Sequence, residues 1–408
     1  VADFDSAERR SAKAVNWDPY NQTYFANPYP VFRRLREEAP IYYNEEYDFY
    51  AVSRYDDCVA VLSNRDTFIS SEGGVLEFMK NDLPIPSGMF IYEDPPIHAQ
   101  HRGLLTRVFT PKRVGAIEPQ IREFCARALD PRIGTDKFDF IEDLGSEMPM
   151  RVIGMLLGMP EDDLKEAQRR VDDNMRTTPG KPLENSGKGF SGDAYADYVD
   201  WRAKNPSDDL MTELINAEYL DVDGEMKKLT RQEILTMISL LFGAGNETTN
   251  RLIGWTGKLL SENPDQRRQI NENRKLIPQA IEEILRCESP GPYVGRVSAK
   301  ETEFHGVKVP AHSAVLAIVA GGNRDERKFE DGDTFNIHRK RLPHLTFGIG
   351  FHNCLGNVLA RFEGRIALEE VLNRFPDWHV DIDNAQMSST ATVRGWETLP
   401  AWTSGGNA

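Results

Sequence analysis

Residues 347–356 read FGIGFHNCLG, with one cysteine, Cys354, set among Gly348, Gly350 and Gly356 and followed at once by the helical pattern NVLARFEGRIALEEVLNRF. A free thiol is mostly protonated at neutral pH, and a durable thiolate needs amide donors, a helix N-terminus or a metal. The glycines let the backbone fold its N–H groups toward sulfur, and a helix opens just after Cys354. Taken alone, the stretch fits a buried structural cysteine, a nucleophile or a ligand.

Composition narrows the field. The chain has 408 residues and a formal net charge of −15, which would repel a phosphate backbone, so nucleic acid is not an expected partner. No Pro/Gly/Ser-rich linker or internal repeat divides it, and it reads as a single large domain over 1–408. The first twenty residues lack the apolar core of a signal peptide, and runs such as MISLLF and AVLAIVAGG are too short to span a bilayer. A cytoplasmic protein without membrane insertion is expected. Cys58, Cys125, Cys287 and Cys354 lie far apart with no CxxC or CxH spacing, which leaves no support for a site built from local ligands.

Apolar residues at three- and four-residue spacing recur in PVFRRLREEA, YDDCVAVLS, HAQHRGLLTRVF, Arg231 to Glu262, LIPQAIEEILRCE and the stretch after Cys354. Short strand-like pieces fall at Ile41 to Ser53, Val294 to Val309 and near the end. The expected fold is mainly α with small β-sheets. Ser70 to Glu93 and Thr177 to Asp193 read as long irregular segments of the kind that serve as lids or binding loops.

Three further stretches hold chemistry. In ISLLFGAGNETTNRLIGW, residues 238–255, Gly243 and Gly245 precede Asn246, Glu247, Thr248 and Thr249. One reading ends a helix at Gly245 and caps another with Asn246 or Thr248; the other runs one buried helix through both glycines. In AIEEILRCESP, Glu283 and Arg286 form an i, i+3 pair, ordinarily a surface contact. In EDPPIHAQHRGLLTRVFTP, Asp94 is placed to cap a helix, and His98 and Arg102 share a face that is either solvated or an anion site.

The run Phe347-x-x-Gly350-x-His352-x-Cys354-x-Gly356 resembles the haem-binding signature of cytochrome P450 enzymes, and AGNETT resembles that family's Ala-Gly-x-Asp/Glu-Thr-Thr box. The likeness extends from about Tyr29 to the terminal GWETLPAW. It implies the single large P450 fold, with haem b held by Cys354 as axial thiolate. Phe347, Gly348, Gly356 and Ala244 then lie against the haem, and His98, Arg102, Arg296 and His352 hold its propionates. It also implies Glu247 and Thr248 as the acid and alcohol that manage protons for dioxygen, and Glu283, Arg286 and Arg339 as a buried lock on the haem-bearing loop. Asn246, where small or hydrophobic residues are also found in the family, is a modest departure.

The function so implied is a monooxygenase that hydroxylates or epoxidises a lipophilic small molecule. Its electrons are expected from NAD(P)H through a ferredoxin and ferredoxin reductase, steered by a basic surface around Arg107, Lys112, Arg113, Arg361 and Arg365. A peroxide-driven oxygenase or a haem-thiolate sensor is the alternative, and Glu247 with Thr248 argues against both. Val75, Phe78, Met79, Leu240, Leu241, Ala244, Tyr293, Val294, Thr392 and Val393 are the expected substrate-pocket residues.

Overall fold

The computed structural model describes residues 15–81, 84–175, 177–182, 192–390 and 392–403. The readings made on the first fourteen residues, on Asp82 and Leu83, and on 183–191 of the second irregular segment lie outside these.

The helical periodicities become helices at Tyr29–Glu38, Tyr55–Ser63, Ile97–Thr106, Arg231–Glu262, Ile277–Cys287 and Asn357–Arg374. Arg231–Glu262 is the longest of these at 32 residues and begins with a capping box. The Thr230 hydroxyl accepts from the Glu233 amide while the Glu233 carboxylate accepts from the Thr230 amide, so two otherwise orphaned donors are satisfied. The helix runs unbroken through Gly243 and Gly245, which decides against a break at Gly245. Packing explains that glycine: an added Cβ at Gly245 would come within 3.1 Å of Ile153 on the helix Met148–Leu157. Close approach there offsets a helix-propensity cost of about 1 kcal/mol.

The central helix is buried along most of its length, with Ile238, Phe242, Leu252 and Trp255 in a core that also takes Val152 and Ile366. Each such side chain contributes roughly 1.5–3 kcal/mol by leaving water. Helix Asn357–Arg374, which follows Cys354, packs against this central helix and against Ile277–Cys287.

The sheets are small, as expected. The largest has five strands in the order Ile41–Asn44, Phe49–Val52, Ala314–Ala317, Val294–Ser298, Phe68–Ile69. Ala314–Ala317 runs parallel to Phe49–Val52, with Val315 opposite Tyr50, and antiparallel to Val294–Ser298, with Val315 opposite Arg296. The segment Ser70 to Glu93 is more ordered than its composition implied: it contains the helix Leu76–Asn81 and the 3₁₀ turn Phe90–Tyr92.

Asp94 does not cap the helix Ile97–Thr106, whose N-cap is Pro96 without a side-chain bond. Its carboxylate instead accepts from the amides of Ser70 and Ser71 at 3.0–3.1 Å. Those amides satisfy it from a segment more than twenty residues earlier in the chain.

Candidate active site

Cys354 sits where its loop meets the helix Asn357–Arg374. The Cys354 amide donates to the Phe347 carbonyl at 2.7 Å, closing the loop. Gly348 and Gly350 take φ of +64° and +71°, a left-handed backbone that favours glycine. Asn353 Nδ2 donates to the Gly348 carbonyl at 2.9 Å, and Asn357 Nδ2 to that of Cys354 at 2.6 Å. Burial pushes the Cys354 thiol up, while an N–H of Gly356 and the charges of Arg102 and Arg361 pull it down. A metal cation is what would tip that balance to thiolate.

The thiol opens into a cavity of about 310 Å³. One wall comes from the cysteine loop and its helix: Phe347, Leu355, Gly356, Leu359, Ala360 and Glu363. The other comes from the central helix: Leu240, Leu241, Ala244, Gly245, Thr248 and Thr249. Phe90, Ile91, Phe109, Ile153, Pro290 and Gly291 complete an apolar rim, and Arg102 and His352 border it.

On the central helix the Thr248 hydroxyl donates to the Ala244 carbonyl at 2.7 Å. Glu247 is buried and its carboxylate lies 3.4 Å from the Arg251 guanidinium. Arg251 also donates to the Ser388 hydroxyl at 2.9 Å and to the Trp396 carbonyl. Thr248 therefore lines the cavity, whereas Glu247 is not among its lining residues.

His98, Arg102, Arg296 and His352 are drawn from two helical turns, a strand and the cysteine loop. The His98 and His352 rings are 4.1 Å apart, and the Nε2 atoms of both are buried without a hydrogen-bond partner. Burial and the Arg102 charge bring His98 down to about 4; burial, Arg296 and His98 bring His352 down to about 2. Arg296, 5 % exposed, is lowered by burial to about 10 and donates to the Gly295 carbonyl at 2.7 Å. Arg102 is lowered by burial and donates to the Asn353 carbonyl. Among the described residues neither arginine has an ion pair. Two sheltered cations and two unpartnered imidazole nitrogens beside an apolar slot fit a flat apolar ligand that carries carboxylates, and the thiol on one wall fits its metal.

The loop is braced from behind. Arg286 meets Glu283 through two bonds of 2.7 and 2.8 Å, and Arg339 Nε reaches Glu283 at 3.0 Å, all with buried or nearly buried side chains. Arg361 and His344 both converge on Glu282, at 2.6 and 3.3 Å. The i, i+3 pair is thus interior, joining the helix Ile277–Cys287 to the segment before the cysteine loop.

Of the expected pocket residues, Leu240, Leu241 and Ala244 line the cavity. Val75, Phe78, Met79, Tyr293, Val294, Thr392 and Val393 do not. Tyr293 packs 6.0 Å from the Trp17 ring and Phe78 lies 5.7 Å from Tyr92, because these side chains are absorbed by neighbouring structure. Among the lining residues missed were Ile153, Phe90, Ile91, Thr249 and Glu363. The spacing Gly356, Ala360, Glu363 on one helical face was a legible signal for the last.

The chain matches the family model for cytochrome P450 over residues 193–393. It is 30% identical over 398 residues to the polyketide biosynthesis cytochrome P450 PksS of Bacillus subtilis, which covers 94% of this chain and 97% of that one. The chain belongs to the cytochrome P450 family. A second relative of this P450, cytochrome P450 109 of Bacillus spizizenii, is 35% identical over 355 residues, covering 85% of this chain and 84% of that protein. The crystal structure of CYP109E1 from Bacillus megaterium in complex with testosterone superposes with a TM-score of 0.85 at 28% identity, covering 94% of this chain and 99% of that one. The protein is accordingly a P450 monooxygenase, an oxidoreductase that uses haem and dioxygen. No helix among the described residues is long and apolar enough to cross a membrane.

The basic surface expected for a redox partner is largely paired. Arg113 and Arg107 share Glu213, at 2.8 and 3.9 Å, Arg365 meets Glu118 at 2.9 Å, and Arg361 meets Glu282. Lys112 is exposed and, among the described residues, has no ion pair.

Proposed function

We propose that this P450, acting as one domain, inserts an oxygen atom into a neutral lipophilic small molecule, with electrons delivered from NAD(P)H by a ferredoxin and its reductase in the cytoplasm. The observation that carries the reading is the apolar cavity with Cys354 on one wall and Ala244 and Thr248 on the other. Bound there, the haem supplies an iron at which dioxygen is activated and O–O cleavage is assisted by thiolate donation.

In this reading Cys354 would hold the haem iron as a thiolate, and Phe347, Gly348, Gly356 and Ala244 would lie against the ring. His98, Arg102, Arg296 and His352 receive the propionates, Arg bidentately where its fork allows. Thr248 commits its own hydrogen to Ala244, so Oγ1 presents lone pairs to the cavity, where they would hold a donor such as water in place. Glu247, tethered by Arg251, exchanges protons with that site through water.

Lipophilicity follows from the rim: Phe90, Ile91, Phe109, Ile153, Leu240 and Leu241 offer area and no charge. The testosterone complex of CYP109E1 supports a guest of that kind. The test is reconstitution with haem, ferredoxin and reductase, and a binding screen of steroids, terpenoids, fatty acids and aromatics read from the haem spin-state band. Spin-state shifts with apolar neutral compounds and NAD(P)H-dependent oxidation support the reading; binding confined to charged compounds, or turnover without a partner protein, contradicts it.

A further inference from the structure

His101 is fully buried on the helix Ile97–Thr106, one residue before Arg102, and takes no part in the chemistry derived for the cavity. Its Nδ1 lies 2.9 Å from both carboxylate oxygens of Glu93, an acceptor-only partner, so Nδ1 carries a hydrogen and donates it. Nε2 is buried without a hydrogen-bond partner, and the ring meets that of Tyr219 edge-on at 5.5 Å. Tyr219 lies on the strand Glu218–Leu220, whose Leu220 carbonyl accepts from Gln100 Nε2 at 2.7 Å. Sealing an imidazole in this way with one nitrogen unsatisfied is costly for a fold, and what offsets the cost is the bond to Glu93.

Glu93 closes a short turn. Its Oε1 also accepts from the Gly88 amide at 3.2 Å, and the Ser87 hydroxyl donates to Glu233, in the first turn of the central helix, at 2.7 Å. Gly88 has φ +88° and no room for a Cβ against the Glu233 backbone. Residues 88–93 are thus pinned to the central helix at one end and to the helix Ile97–Thr106 at the other. Between the pins lie Phe90 and Ile91, and both line the cavity. Phe90 is buried, whereas Ile91 is 38 % exposed and stands at the rim. Neither His101 nor Glu93 lines the cavity, so any influence they have on a guest passes through this turn.

We propose that His101 is a positioning residue for substrate selection: through Glu93 it fixes the turn that carries Phe90 and Ile91, and so presets the apolar surface that a guest meets at the rim. A charge-assisted bond in a sheltered site is stiff enough for the task, and apolar contacts count most when they are set before the guest arrives. The proposal rests on the reading of the cavity as the haem and substrate site.

The test titrates ferric holoenzyme with N-methylimidazole, which reports on the iron alone, and N-octylimidazole, whose chain extends from the iron toward the rim, both read from the Soret shift. In His101→Leu the Kd of N-octylimidazole should rise about 5-fold while that of N-methylimidazole stays within about 2-fold of wild type. Asparagine places an N–H near the position of Nδ1, so His101→Asn should recover most of the octyl affinity. Glu93→Gln, which keeps the shape and removes the charge, should raise the octyl Kd about 3-fold, and it decides the matter if His101→Leu does not fold. An octyl Kd unchanged in His101→Leu and Glu93→Gln, equal losses for both ligands, or His101→Asn as poor as His101→Leu overturns the proposal. Absence of any Soret shift by N-methylimidazole in wild type would instead refute the haem reading of the cavity.

Discussion

Thr248 Oγ1 donates to the carbonyl of Ala244, one turn earlier on the central helix, at 2.7 Å. This bond takes the threonine's only hydrogen and turns its lone pairs toward the cavity. Loss of the hydroxyl should uncouple electron consumption from product. In Thr248→Ala, product per reductant should fall by about 10-fold or more with peroxide released in its place, while Thr248→Ser stays near wild type. Unchanged coupling in Thr248→Ala removes the residue from proton handling.

Glu282 joins the Glu-x-x-Arg helix to the cysteine loop and its helix through His344 and Arg361. Burial raises its carboxyl, but the bonds from His344 and Arg361 outweigh this and bring it from 4.5 to about 2. A depressed carboxylate stabilises the fold above its ordinary pKa and loses that contribution as pH falls through the folded value. Urea midpoints of wild type should therefore fall between pH about 4.5 and 2 more steeply than those of Glu282→Gln, which should already be less stable at neutral pH. Parallel pH profiles would show that the clamp contributes nothing.

Lys112 is the exposed cation of its segment that has no acidic partner among the described residues, whereas Arg113 and Arg107 are drawn to Glu213. If an acidic ferredoxin docks here, Lys112→Glu should slow the first electron transfer several-fold and flatten its salt dependence, with substrate binding intact. Arg113→Glu should do less at first contact, because much of its charge is already compensated. Salt-independent reduction in the wild type would place the partner elsewhere.

The parts of the site legible in the sequence are those whose chemistry is local. Cys354, Gly356 and Thr248, which the structure brings to one cavity, lie in short stretches where residue type and spacing carry the message. The continuity of the central helix was not, since Gly245 costs a helix the same whether or not Ile153 packs against it. Asp94 looked like a cap because Ser70 and Ser71, which satisfy it, are distant in the chain. Phe78 and Tyr293 have the apolar surface of pocket residues, and nothing in their own segments says that Tyr92 and Trp17 will cover them.

The central claim is that Cys354 is the haem ligand, and the carbon monoxide spectrum of the reduced holoenzyme tests it most directly. Wild type, and variants with alanine at Cys58, Cys125 or Cys287, should give the red-shifted Soret band of a thiolate-ligated haem. These three thiols are buried and do not line the cavity, whereas Cys354 is exposed and opens into it, so none is placed to substitute. Cys354→Ala should lose the band altogether. Retention of the red-shifted band in Cys354→Ala, or its loss on changing one of the other cysteines in a folded, haem-loaded protein, would contradict the account.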